Sequence, residues 1–333
     1  MRFKTLWKIS ILTILALLLL SACAGEAPSE VEAKVVDLIP TRLTMGYIPN
    51  IQFAPVYVAV EKGYFMEAGF DVTLDYIDET DAVALVGAGE QTFTIASGEQ
   101  VLLARAQDLP VVYVAAWYQQ YPVGVVSLTD KAVLAPEDFE DLTIGIPGLY
   151  GASYIGFRAL LDSGGLTEAD VNLLSIGYNQ VEALVTEQVE AAVIYVANEP
   201  ATLRSQGYAV NVVSVSDYIG LVANGLVTNE ETLEQNPEMV RAFVNALTQG
   251  ILDAAEDPEA AYEISKLYVE NLAEADTELQ KEVLDGSIKL WQIGQPGYSD
   301  PESWVNMENI LLEMGLLEES LDLSEAYTNE FIP

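Results

Sequence analysis

The chain predicts an α/β protein made of two α/β units followed by a mostly helical C-terminal part. Three observations carry that expectation. Residues 44–74 switch between strand and helix periods as one βαβ unit. Short apolar runs suited to buried strands recur at 93–96, 111–116, 142–146 and 191–195. Beyond residue 227 the pattern turns helical, with Asn236-Pro237-Glu238 and Asp257-Pro258-Glu259 as cap-plus-proline helix starts.

In the first unit, a strand is expected to end at Pro49-Asn50, because Pro lacks a ladder donor and Asn tolerates turn geometry. Phe53, Val56, Tyr57 and Val60 then share one helical face, Pro55 fits the first turn, and Gly63 stops the helix. Past Gly69, Asp71, Thr73 and Asp75 alternate with Val72, Leu74 and Tyr76, the period of a half-buried strand. A short helix is expected over 78–90 with Asp81 near its cap, and Ser97-Gly98-Glu99 turns from a strand into another helix. The continuous apolar run 111–116 suits a strand buried on both faces, and it ends in Trp117-Tyr118-Gln119-Gln120-Tyr121. Residues 123–128 lead into Thr129-Asp130-Lys131, the expected crossing between units.

The second unit is read from strands over 142–146, 171–176, 191–195 and 210–215, with a return crossing over 219–227. The glycines of the loop 147–153 can bring backbone amides toward a ligand. They do not match a dinucleotide fingerprint, and no cofactor is expected. Helices near 277–291 and 301–314 complete the chain.

The N-terminus reads as a processing signal. Arg2, Lys4 and Lys8 precede an apolar run over 9–20, which is short for a membrane span. It ends in Leu20-Ser21-Ala22-Cys23, which resembles the lipobox of bacterial lipoproteins. The expectation is a signal peptide over 1–22, lipidation at Cys23 and a flexible tether over 23–40. The folded part is divided into lobe 1, 41–128 plus 220–333, and lobe 2, 129–219.

Charge and composition exclude several functions. With 14 Lys and Arg against 51 Asp and Glu, the net charge of −37 repels nucleic acid and anionic lipid surfaces. The chain has no His and one Cys, which removes Ser-His, Cys-His and thiolate-zinc chemistry and any intrachain disulfide. No metal site is expected.

The residues at expected strand ends are Asn50, Phe53, Ser97, Glu99, Trp117, Tyr118, Tyr150, Tyr178, Asn179, Tyr195, Asn198 and Glu199. They are aromatic, amide, hydroxyl and carboxylate groups, suited to stacking on a flat heterocycle and bonding its heteroatoms. An anion would call for a bidentate Arg, and Arg42, Arg105, Arg158, Arg204 and Arg241 are scattered inside or before expected elements.

The run from Gly46 to Val72, with Ser97-Gly98-Glu99 and Tyr195-Val196-Ala197-Asn198-Glu199-Pro200, resembles the thiamine-pyrimidine (ThiY-like) family of ABC-importer solute-binding proteins. Within it, the resemblance is closest to RibY-type riboflavin-binding lipoproteins. It covers about 41–291. It implies a two-lobed periplasmic-binding fold of the type II kind, each lobe a mixed sheet flanked by helices, joined by two crossover strands. It further implies delivery of the ligand to an ABC permease; with the lipobox, the expectation is a monomeric receptor anchored outside the bacterial cytoplasmic membrane. The same family includes fungal pyrimidine synthases that consume a His of their own chain and carry a cysteine-rich motif. This chain has neither, and Phe53 lies in the region where a His is common among relatives.

The supply of Tyr and Trp favours the three-ring isoalloxazine of riboflavin, as transported ligand, over a single thiamine-precursor pyrimidine. Two readings from other classes are open to the sequence: an exported hydrolase using Glu99 or Glu199 as acid or base, and a surface adhesin or scaffold using its acidic face.

Overall fold

The structure is a computed structural model that describes residues 37–292 and 294–333. The signal segment, Cys23 and nearly all of the tether lie outside the described residues. From β1 (Ile39–Met45) the chain passes a 3-10 turn (Ile51–Phe53) into α1 (Ala54–Glu61) and α2 (Tyr64–Glu67). It continues through β2 (Phe70–Tyr76), α3 (Glu79–Gly87), β3 (Phe93–Ala96), α4 (Gly98–Arg105) and β4 (Val111–Ala116). There follow β5 (Val123–Leu128), β6 (Thr143–Ile146), α5 (Gly151–Ser163), β7 (Asn172–Ser175), α6 (Gln180–Val185), β8 (Ala191–Tyr195), α7 (Glu199–Ser205) and β9 (Val210–Ser214). β10 (Gly225–Asn229) leads to α8 (Glu230–Gln235), α9 (Pro237–Glu256), α10 (Pro258–Ser265), α11 (Thr277–Trp291), α12 (Pro301–Glu313) and α13 (Leu323–Ala326).

The strands form two five-stranded sheets, ordered β2-β1-β3-β10-β4 and β7-β6-β8-β5-β9. Parallel pairs hold β1 to β2 and β3, and β6 to β7 and β8. One antiparallel strand enters each sheet: β10 between β3 and β4, and β5 between β8 and β9. Each lobe thus takes one strand from chain that has just crossed from the other lobe. The result is a two-lobed α/β fold with mixed sheets and two crossings.

The first crossing differs from the sequence expectation. The sequence reading puts 123–128 in lobe 1, yet Val123 to Ser127 pair with Tyr195 to Ala191, and Gly124 to Leu128 pair with Ser214 to Val210. The chain therefore crosses at 117–122, and Thr129–Lys131 is a 3-10 turn within lobe 2. The physical reason is burial: Val123, Val125, Val126 and Ser127 are all buried, so β5 needs strand neighbours on both edges, which only the second sheet supplies. The return crossing occupies 215–224, and Gly225 already belongs to the first sheet. Two smaller differences concern caps and strand ends. β1 stops at Met45, and Asp78, not Asp81, caps α3 by accepting from Thr80 N–H at 2.9 Å.

Lobe 1 is consolidated by the C-terminal helices. Val240, Phe243, Val244, Leu247, Ile251 and Ala254 form the buried stripe of α9. Phe243 stacks on Phe93 at 4.1 Å and meets Phe65 and Phe70 at 4.6 and 5.0 Å. β4 is an edge strand, and the C-terminal tail covers it: Thr328 N–H donates to Tyr113 O at 2.9 Å and Ala116 N–H to Gly297 O at 2.8 Å. Covering an edge in this way removes a template for pairing with another chain.

Gly225, where the return crossing enters the first sheet, leaves no room for a side chain. A Cβ there would fall on Tyr113 Oη and Ala115 O. Gly225→Ala is expected to lower stability by about 1–3 kcal/mol or more, the range for overpacking, read as a lower urea midpoint at unchanged m-value. An unaltered midpoint would contradict the close approach.

Candidate functional site

Strands that run parallel leave their carboxyl ends on one side, and ligands of open α/β sheets bind there. Both sheets obey this, and their strand ends face each other. Gly46 and Tyr47 follow β1, Asp78 and Glu79 follow β2, and Trp117 and Tyr118 follow β4. From lobe 2 come Pro147, Gly148 and Tyr150 to Ser153 after β6, Tyr178 after β7, and Asn198 and Glu199 after β8. These groups line one cavity of ≈ 260 Å³ between the lobes, with Asn224 of the return crossing contributing as well. A second cavity of ≈ 570 Å³ adjoins it, and Tyr47, Tyr178, Gln180, Asn198 and Glu199 line both.

Of the twelve residues singled out from the sequence, eight line the cavity: Phe53, Trp117, Tyr118, Tyr150, Tyr178, Tyr195, Asn198 and Glu199. The other four do not. Asn50 caps the 3-10 turn, its Oδ1 accepting from Gln52 N–H at 3.0 Å, and so positions Gln52 and Phe53 in the wall. Asn179 lines the adjoining cavity and donates through Nδ2 to Ile176 O at 3.1 Å. Ser97 and Glu99 are buried beneath the wall and reach it only through Glu79, which the sequence reading passed over. Tyr47, Asp78, Thr80, Gln100, Gln180 and Asn224 were also missed. The strand-end rule that found Asn50 would have found Asp78 and Glu79 had β2 been followed to its end. Asn224 had no such signal, because it precedes an antiparallel strand.

The aromatic groups divide by depth. Trp117 and Tyr118 are buried, with Trp117 centred 5.5 Å from Phe53, 5.0 Å from Tyr118 and 5.9 Å from Trp291. Trp117 Nε1 has no hydrogen-bond partner among the described residues. Tyr150 and Tyr178 are exposed at 67% and 65%, so they stand at the rim. Tyr47 of lobe 1 meets Tyr178 of lobe 2 across the mouth, ring centres 5.4 Å apart.

The charged groups at the cavity are all acidic. Asp78, Glu79 and Glu199 line it, and among the described residues no Lys or Arg does. Glu199 Oε2 accepts from Tyr195 N–H at 3.0 Å and Oε1 from Asn198 Nδ2 at 3.2 Å. Burial nevertheless raises its pKa to about 7. Glu79 Oε2 accepts from Ser97 N–H at 3.0 Å and lies 2.6 Å from Ser97 Oγ, while Oε1 accepts from Asn224 Nδ2 at 2.8 Å. Gly46 makes this seat possible, since a Cβ there would sit 2.6 Å from Glu79 Cγ. No group of three or more His, Cys, Asp or Glu among the described residues is placed to hold a metal ion. The arrangement offers flat apolar faces, amide groups and carboxylate acceptors.

Comparison with known proteins agrees with this geometry. The family described as NMT1/THI5 like matches residues 50–261. The riboflavin-binding protein RibY of Chloroflexus aurantiacus is 37% identical, covering 98% of this chain and 98% of that protein. The formylaminopyrimidine-binding protein of Halalkalibacterium halodurans is 28% identical, covering 95% of this chain and 96% of its own. Among solved structures, the periplasmic aliphatic sulphonate binding protein SsuA of Escherichia coli superposes with a TM-score of 0.71 at 11% identity, over 86% of this chain and 96% of that one. The fold is accordingly the two-lobed periplasmic-binding fold.

Burial separates the roles of the aromatic groups. Trp117→Ala is expected to cost about 3–5 kcal/mol of stability, as for other fully buried Trp, so loss of binding in that variant alone would not locate the ligand. Tyr150→Ala, at the rim, is expected to stay within about 0.5 kcal/mol of wild type; urea unfolding of the two variants checks the contrast. Glu199 makes a pH prediction. Its folded pKa of about 7 lies above the ordinary 4.5. Its stabilising contribution is therefore complete below the unfolded value and lost as pH rises through about 7. Thermal melts should show Glu199→Gln gaining on wild type between pH 5 and 8; a constant difference across that range would contradict the buried acid.

Proposed function

The chain belongs to the NMT1/THI5 like family, and on that footing we propose that it is the receptor of an ABC importer that captures riboflavin between its lobes. The observation that carries the proposal is the composition of the interlobe cavity: aromatic faces from both lobes, amides and carboxylates, and no cation among the described lining residues. Isoalloxazine is flat, uncharged and edged with N–H and C=O groups, which matches that lining. The adjoining cavity, walled by Asn179, Gln180, Thr186, Asn198, Thr202 and Gln206, offers hydroxyl and amide partners for a ribityl chain. Aromatic stacking contributes roughly 0.5–1.5 kcal/mol per pair beyond area burial. Similarity to RibY across 98% of both chains supports the choice of vitamin.

Delivery to a permease, export, and attachment through a lipid on Cys23 are part of the same proposal. They follow the resemblance and the N-terminal pattern, whose residues lie outside the described ones. Binding without turnover is the role assigned. The His and the cysteine-rich motif that the synthases use are missing from the sequence, which holds no His and one Cys.

A second reading, a thiamine pyrimidine precursor, is favoured by one feature. Glu79 and Glu199 place two carboxylates at the cavity, acceptors for the amino group of an aminopyrimidine.

Titration of riboflavin with soluble protein lacking the N-terminal segment tests both readings. Saturable quenching of flavin fluorescence at micromolar concentrations is expected, with riboflavin preferred over its 5′-phosphate by at least about tenfold because the lining is acidic, with no cation among its described residues, and opposes a phosphate. No quenching, together with a melting shift by an aminopyrimidine, would replace riboflavin by the second reading. Equal affinity for the phosphate would contradict the electrostatic account of the cavity.

A further inference from the structure

Ser97 Oγ stands 2.6 Å from Glu79 Oε2 and 2.6 Å from Glu99 Oε1. A hydroxyl carries one proton and can donate to one carboxylate only; toward the other it must accept, and that carboxyl must then carry a proton itself. Ser97 and Glu99, both buried, and the half-buried Glu79 hold two protons in this arrangement. The distribution follows from their other partners. Glu79 receives two further donors, Ser97 N–H at 3.0 Å and Asn224 Nδ2 at 2.8 Å, which suits a carboxylate. Glu99 Oε2 is buried and has no partner among the described residues, a costly position for a charge.

We infer that Ser97 links Glu99, kept as the neutral acid, to Glu79, kept as the carboxylate, and that this link aims Glu79 at an N–H or O–H donor of the ligand. Glu79 touches the cavity; Glu99 acts through it as a positioning residue. The titratable groups facing the pair are Asp78 before α3, Tyr113 on β4, Tyr121 on the first crossing and Tyr195 on β8. Burial raises all three tyrosines, so none of them supplies a charge that changes near neutrality. Burial also raises both glutamates, and Glu99 is pushed up to about 8 by burial first and then by the charge of Glu79. Above that pH the pair becomes two adjoining carboxylates competing for one hydroxyl proton, and the aim of Glu79 is lost.

The sign of the linkage follows. A carboxyl whose folded pKa is raised stabilises the folded form while protonated; because the aim of Glu79 depends on that same proton, affinity is expected to be highest below about pH 8 and to fall above it. Glu99→Gln keeps the shape and supplies a permanent N–H donor to Ser97 Oγ.

The affinity arm of the test rests on the riboflavin reading; the infrared arm does not. In ligand-free protein at pH 7, protonated-carboxyl C=O absorption is expected whose Glu99 part is lost in Glu99→Gln and kept in Glu199→Gln. In Ser97→Ala the band should move to higher wavenumber as the acid loses its acceptor, which keeps the test open should Glu99→Gln fail to fold. In riboflavin titrations from pH 6 to 9.5, wild type should lose affinity at least fivefold above pH 8. Glu99→Gln should stay within threefold of the wild-type pH 7 value throughout, and Glu79→Gln should lose at least tenfold at every pH. An unchanged carboxyl band in Glu99→Gln, or the same pH profile in wild type and Glu99→Gln, overturns the inference. If wild type binds no riboflavin while the band behaves as described, the vitamin reading fails and the shared proton stands.

Discussion

The seat of Glu79 ties together three parts of the chain that are far apart in sequence. Its carboxylate is held by Ser97, at the end of β3, and by Asn224, on the return crossing, and its side chain lies over Gly46 at the end of β1. Asn224 in turn accepts through its backbone O from Trp117 and Tyr118 N–H, at 3.1 and 3.0 Å, which are the first residues of the other crossing. One network thus joins the wall of lobe 1, both crossings and the deep aromatic groups. Because every member is buried or half-buried, breaking one bond leaves an unsatisfied polar group, and such groups cost about 1–3 kcal/mol each.

That network explains why the cavity has a hard floor and a soft rim. Trp117 and Tyr118 are fixed by the crossings and by packing on Phe53 and Trp291. Tyr150 and Tyr178 project from loops of lobe 2 and are largely exposed. A ligand entering between the lobes meets a preformed surface on one side and adaptable side chains on the other. The Tyr47–Tyr178 contact joins the two sides at the mouth. Two-lobed proteins of this kind close by hinge motion around ligands, and here the paired crossings at 117–122 and 215–224 are the only covalent links between the two sheets in the described residues.

Much of this was legible in the sequence because strand periodicity and strand ends are local signals. The βαβ unit, the buried run of β4 and the cap-plus-proline helix starts required no knowledge of partners. The aromatic strand ends likewise pointed to one place, and eight of those residues meet there. What was not legible depends on pairing at a distance. β5 reads as a strand from its own residues, but its sheet is decided by β8 and β9, up to 90 positions downstream at the pair Gly124 and Ser214. Ser97 and Glu99 lie at a strand end, yet their side chains turn inward and serve Glu79. Asn224 reaches the cavity from the amino end of β10, a position that a rule about carboxyl ends of strands passes over.

On the proposed function, a flat, uncharged heterocycle lies between the two lobes against the wall that Glu79 and Trp117 define. A crystal structure of the soluble protein with riboflavin tests it most directly. The account predicts the isoalloxazine ring between Phe53, Trp117 and Tyr118 on one side and the tyrosines of lobe 2 on the other, with a ligand N–H or O–H on Glu79. A ring bound outside this cavity, or within it with Glu79 facing away, would contradict the account.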